Sequence, residues 1–198
     1  LRETFEEAGL LLARTPGEKD LVDLSRGDIE QRFATHRAGV NAGDVDFVSM
    51  IRDEGLALDG SGVHYVSRWV TPLGPPRRYD TRFFVTAMPQ GQQPLHDDDE
   101  AVHHEWIRPA EALALNDSDE MLMMTPTVSM LARLTRYRNA AEAISAAEGN
   151  TEEDDEIVRI RYGIEGPGRI AWPDDPDYEQ ADPRLESGMV RWPGRRPT

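Results

Sequence analysis

Apolar residues return at helical spacing from the first position of the chain: Leu1, Phe5, Ala8 and Leu12 share one face. Gly9 is the residue type that ends a helix in the left-handed conformation. This pattern predicts the last turns of a helix with a buried stripe. Residues 14–62 then read as an insertion. T-P-G-E-K-D breaks structure, and Asp28 and Asp44 are expected N-caps of two short helices with apolar faces at Ile29 and Phe33 and at Phe47, Met50 and Ile51. Residues 63–70 and 82–88 are rich in β-branched and aromatic side chains, and T-P-L-G-P-P-R-R between them has turn composition, so two strands joined by a proline-rich loop are expected. A short strand around Trp106 and Ile107 and a small helix over P-A-E-A-L-A-L should follow the acidic loop L-H-D-D-D-E. Thr125 as N-cap, Pro126 behind it and Val128, Leu131 and Leu134 at helical spacing predict one long helix running to about Ala147. Met121, Met123 and Met124, just before it, are expected as core filler. Beyond T-E-E-D-D-E lies a tail with two strand-like pieces and many prolines, expected to be disordered from about Asp174. The expected division is a domain over residues 1–147 and an acidic linker with a partly disordered extension over 148–198. No internal repeat is evident.

Composition narrows the function. The chain has 198 residues, with 22 basic side chains against 37 acidic ones for a net charge of −15. Sequence-independent affinity for nucleic acid rests on Lys and Arg neutralising phosphates, so such a partner is not expected. No apolar run approaches the ~18 residues of a membrane span, and no signal-like opening is seen, so the expected setting is the cytoplasm. Zero cysteines exclude a disulfide framework, thiolate zinc, Fe–S clusters and a cysteine nucleophile. All basic residues except Lys19 are arginine, a skew of GC-rich genomes that points to a bacterial source.

Candidate chemistry sits at the opening. Glu3, Glu6 and Glu7 stand at i, i+3 and i+4, so the spacing predicts three carboxylates on one helical face. Like charges at that spacing destabilise a bare helix, and a divalent cation reverses the sign, since hard cations take carboxylate oxygens together with substrate phosphates. Arg2 can pair with one carboxylate and hold its rotamer. The plain alternative is a solvated acidic face. Arg77, Arg78 and Arg82 are the densest positive cluster, fit to bind a substrate phosphate or else to pair with Asp80 and the acidic loop. His103 and His104 are adjacent, so on a strand they would face opposite sides, and they make no zinc motif.

The string R-E-T-F-E-E-A-G-L resembles the second half of the Nudix box, G-x5-E-x7-R-E-U-x-E-E-x-G-U, with Arg2, Glu3, Glu6, Glu7, Gly9 and Leu10 in place. Five fixed identities coincide by chance in about one window per million at average residue usage. Thr4 stands where the pattern has an aliphatic residue, and the box's first Gly and first Glu would lie upstream of Leu1. The segment R-W-V-T-P-L-G-P-P-R-R-Y-D-T-R-F-F-V is similar to one that follows the box in a Nudix branch related to coenzyme A and acyl-coenzyme A diphosphatases, a branch that often carries a helical insertion.

The resemblance implies a Nudix-type α/β/α sandwich with a mixed sheet, a helical insertion after the Nudix helix and N-terminal strands outside the given sequence. It also implies Mg2+- or Mn2+-dependent hydrolysis of a nucleoside diphosphate linked to another moiety, with coenzyme A or acyl-coenzyme A favoured and ADP-ribose or NADH left open. Metal ligands would be Glu3, Glu6 and Glu7. Arg2, Glu3, Glu7 and Glu100 would serve catalysis, and Arg77, Arg78 and Arg82 would bind substrate. Glu100, ahead of Trp106, would be a metal ligand or general base, unless it belongs to a solvated loop; Glu105 is the weaker choice. Water would be the nucleophile. The expected partner is a small-molecule diphosphate, with no nucleic acid and no membrane, and a homodimer is compatible. A chain lacking the first half of the box is expected to be poorly stable and inactive alone. The rival classes are a Nudix-fold module that senses a nucleotide without cleaving it, and an assembly role without metal dependence.

Overall fold

The computed structural model describes residues 1–71, 76–95, 105–151, 155–157, 159–161, 169–171, 175–176, 178–180 and 190–193. The chain divides into two compact units, Leu1–Gly62 with Ala87–Trp106, and Val63–Thr86 with Ile107–Thr198.

The first unit contains α1 (Arg2–Ala8), β1 (Ala13–Arg14), α2 (Gly27–Asn41), α3 (Phe47–Asp53) and β2 (Ala57–Leu58). As the pattern predicts, α1 stops at Gly9, whose φ of 69° is left-handed, and the Leu10 N–H closes onto the Thr4 carbonyl. The expected stripe is only partly right. Phe5 is buried, but Leu1 is exposed at the helix start and Leu12 is buried beyond its end. The core gathers Phe5, Leu11, Ala13, Phe33, Val40, Phe47, Met50 and Ile51, with the Phe5 and Phe47 rings 5.9 Å apart.

Both expected caps shift. Arg26 precedes α2 and Asp28 lies in its first turn, where a carboxylate still favours the positive helix end. Asp46, not Asp44, caps α3, its side chain accepting the Ser49 N–H at 2.8 Å. The Asp44 N–H is instead committed to the turn after α2, where it donates to the Gly39 carbonyl.

Buried Gln92 ties the 91–95 segment to this unit. Its Oε1 accepts the Leu11 N–H at 2.8 Å, and its Nε2 donates to the carbonyls of Leu11 at 3.0 Å and Val22 at 2.8 Å. One side chain thus replaces the hydrogen bonds a neighbouring strand would supply.

The second unit holds β3 (His64–Val70), β4 (Asp80–Val85), α4 (Pro109–Asp117), α5 (Thr125–Leu134), α6 (Ala140–Ala147), β5 (Asp155–Ile157), β6 (Arg159–Arg161), β7 (Arg169–Ala171) and β8 (Val190–Pro193). The two expected strands pair as a hairpin, with Arg68 opposite Arg82 and Val70 opposite Asp80, and β4 begins and ends earlier than expected. The sheet order is β4-β3-β8-β5, while β6 and β7 pair separately. Every described pairing is antiparallel, and such neighbours need no crossover helix. Val190–Pro193, in the stretch whose composition suggested disorder, pairs with both β3 and β5.

Among the described residues no strand forms at Trp106 and Ile107; residues 105–107 lead directly into α4, and Trp106 is exposed. The predicted long helix is two. Thr125 is the first residue of α5 rather than its cap, and α5 ends at Leu134. Asn139 then opens α6, its side chain accepting the Glu142 N–H at 3.0 Å, while Arg138 Nε donates to Glu142 at 2.8 Å. This local capping competes with helix continuation. Met121 and Met123 are half-buried, whereas Met124 is exposed and fills no core. Among the described residues no helix is long and apolar enough to cross a membrane.

Candidate active site on the first helix

Arg2, Glu3, Glu6 and Glu7 all lie on α1. Their carboxylates are not equivalent. Glu3 and Glu7, one turn apart, are exposed, while the Glu6 side chain is only 15% exposed and pairs with Arg2 at i and i+4. Arg2 also reaches Glu3 Oε1 at 3.5 Å. The Glu6 hydrogen bond and charge raise the Arg2 pKa further above its ordinary value. The guanidinium therefore stays charged and holds Glu6 in one rotamer. Among the described residues no three His, Asp or Glu side chains converge as a metal cage. Glu3 and Glu7, at i and i+4, are exposed carboxylates of the kind a hard divalent cation takes, while the Glu6 carboxylate is engaged by Arg2.

The helix is fastened at its far end. Arg37, from α2, donates through Nε to the Glu6 carbonyl at 2.8 Å and through Nη2 to the carbonyls of Glu7 at 3.0 Å and Leu95 at 2.8 Å. Asn41 Nδ2 adds a bond to the Glu6 carbonyl at 3.3 Å. A cavity of about 530 Å³ opens beside these contacts, with Arg37, Asn41, Phe33 and Leu24 in its wall.

In the second unit, Arg77 and Arg78 are exposed between β3 and β4. Arg78 Nε donates to the Thr71 carbonyl at 2.8 Å, next to the bond from the Thr71 N–H to the Tyr79 carbonyl that closes the hairpin. Asp80 is engaged by Arg68, whose Nε lies 2.6 Å from its Oδ1, and that hydrogen bond holds the Asp80 carboxyl below its ordinary pKa. Arg82 is more distant, 3.9 Å from Asp80. Asp80 is thus committed chiefly to Arg68. Glu100, His103 and His104 lie outside the described residues, and Glu105 is exposed.

Sequence reasoning missed Arg37, Asn41 and Gln92. Each acts on backbone atoms far away in sequence, and no local spacing signals such a contact.

The fold has a counterpart among solved structures, the crystal structure of a NUDIX hydrolase from Alicyclobacillus acidocaldarius, with a TM-score of 0.59 and 27% identity over 73% of this chain and 63% of that one. This defines an α/β chain of the Nudix class. Residues 1–134 match the NUDT19 Nudix domain, and the chain belongs to that family. It is 26% identical over 193 residues to the acyl-coenzyme A diphosphatase NUDT19 of Xenopus laevis, covering 89% of this chain and 50% of that protein. The protein of the same name from Homo sapiens is 28% identical over 152 residues, 72% of this chain and 39% of that one. The chain spans about half the length or less of these curated relatives.

Proposed function

We propose that the protein hydrolyses a diphosphate linked to another moiety, with coenzyme A or an acyl-coenzyme A as substrate and Mg2+ or Mn2+ as cofactor. One observation carries the reading: R-E-x-x-E-E lies on a helix closed by a left-handed glycine, in a chain similar to proteins named acyl-coenzyme A diphosphatase. Glu3, Glu6 and Glu7 would hold the cation, with Arg2 fixing the Glu6 rotamer. Bound there, the cation supplies charge neutralisation on the diphosphate and makes water a competent nucleophile near neutral pH. The water oxygen attacks one phosphorus and its proton passes to a base, for which Glu100 is the candidate. The bridging oxygen departs with the other phosphoryl group, so each product keeps a phosphate. Arg77, Arg78 and Arg82 would offer guanidinium forks to phosphate oxygens. Three carboxylates that repel one another on one helix favour this over a sensing module without turnover.

Chromatography of products from coenzyme A incubated with the protein at its full length and Mg2+ tests the proposal. Two phosphate-bearing products are expected, and none in EDTA. Cleavage of ADP-ribose but not of coenzyme A would overturn the substrate assignment, and equal turnover in EDTA the metal role. Glu7→Gln should lower kcat by about a hundredfold or more, the scale on which loss of one preorganised electrostatic group registers. Its melting temperature should hold, because the side chain is exposed.

A further inference from the structure

We infer that Arg37 is a positioning residue for the carboxylates of α1, so that the insertion helix α2 forms part of the catalytic apparatus; the inference rests on the metal-binding role proposed above. The last turn of α1 cannot satisfy itself. Carbonyls of Glu6 and Glu7 would ordinarily accept the N–H groups of Leu10 and Leu11, four residues on in each case. Here the Leu10 N–H goes to Thr4 and the Leu11 N–H goes to Gln92. Arg37 takes both orphaned carbonyls, and Asn41 adds a second bond to that of Glu6.

Three features make this more than a surface contact. The half-buried guanidinium lies at the negative end of α1, where a cation is favoured. It also binds the Leu95 carbonyl, while the Leu95 N–H donates to Ala8 at 3.0 Å, so α1, α2 and the 91–95 segment share one junction. Finally, Gly9 leaves room for it: a Cβ there would stand 3.2 Å from Arg37 Nη1.

Neither the Glu6 nor the Glu7 carbonyl is closed by the i+4 N–H that would hold a regular last turn of α1. Order in its last turn is therefore imposed from outside, and the backbone of Glu6 and Glu7 sets where their carboxylates point. Removing Arg37 should release that turn and scatter two of the three proposed ligands with every carboxylate of α1 left in the sequence.

The test is Mn2+ binding, followed by electron paramagnetic resonance with the metal alone. Arg37→Ala is expected to weaken Mn2+ binding about tenfold or more and to lower kcat, with KM for coenzyme A changed little. Arg37→Lys, whose single ammonium cannot span all three carbonyls, should fall between the two and covers the case in which the alanine variant does not fold. Ile51→Ala, a core truncation in the same unit, should lose stability while the folded protein binds Mn2+ as wild type does. Wild-type Mn2+ affinity in a folded Arg37 variant would overturn the positioning role alone. Equal weakening in Ile51→Ala would overturn it too, by reducing the effect to general stability. Failure of the wild-type protein to bind Mn2+ would overturn the metal reading and this role together.

Discussion

Gln92 performs with one amide what a strand edge does with several peptide groups. It serves both the N–H and the carbonyl of Leu11 and reaches the Val22 carbonyl, all from a buried position. Replacing it by leucine keeps volume and apolarity but strands a buried donor and buried acceptors. Each such group costs about 1–3 kcal/mol when left unsatisfied. Gln92→Leu should accordingly be destabilised by at least ~2 kcal/mol in urea unfolding, on the low end of that range for more than one orphaned group. A variant as stable as wild type would mean that the backbone of Leu11 finds other partners. Arg37 follows the same logic with a charge added, holding up carbonyls that the local helix cannot.

At the scale of elements, caps decide where helices begin, and Asp46 gives one a pH dependence. The Asp46 carboxylate accepts hydrogen bonds from the Ser49 hydroxyl and then from its N–H, and these hold its pKa below the ordinary carboxylate value. Asp23 with Ser25 and Asp59 with Ser61 repeat the arrangement. A lowered folded pKa means that the contribution is fully present above the unfolded value of about 3.9 and is lost as pH falls through the lower folded value. The melting temperature of Asp46→Asn should match wild type closely near neutral pH, because asparagine also caps, and should decline less on acidification. Identical acid profiles would remove Asp46 from the acid transition. Asp46 also illustrates what the sequence conceals. N-A-G-D-V-D offers two aspartates before one apolar stretch, and only the geometry of the turn at Gly43 selects the second. The end of α1, the α3 face and the β3–β4 hairpin were legible, because each depends on neighbours within one or two turns. The break between α5 and α6 was not, since T-R-Y-R-N contains neither Gly nor Pro and its cap works through side chains. β8 was hidden for another reason: its partners, β3 and β5, are remote in sequence. The candidate site divides the same way. The acidic positions of α1 could be named from spacing, but the pairing of Glu6 with Arg2 and the anchoring by Arg37 needed coordinates.

Across these 198 residues taken together, the decisive quantity is a net charge of −15 set against a proposed substrate that is itself anionic. Two fields act on the encounter. One is the excess of acidic side chains; the other would be local and positive, from the cation proposed for α1. Ionic strength separates them, because the Debye length shrinks from about 30 Å at 0.01 M to about 8 Å at 0.15 M. At low salt an approaching substrate senses the net charge and is repelled; at physiological salt only the nearest groups act. Added KCl at saturating Mg2+ should therefore raise kcat/KM between those two concentrations while leaving kcat nearly flat, the reverse of an electrostatically steered enzyme. Steady-state kinetics with coenzyme A at a series of KCl concentrations reads the sign directly. A fall in kcat/KM would show that local positive charge dominates the approach even at long range, and that the −15 is distributed away from the path the substrate takes.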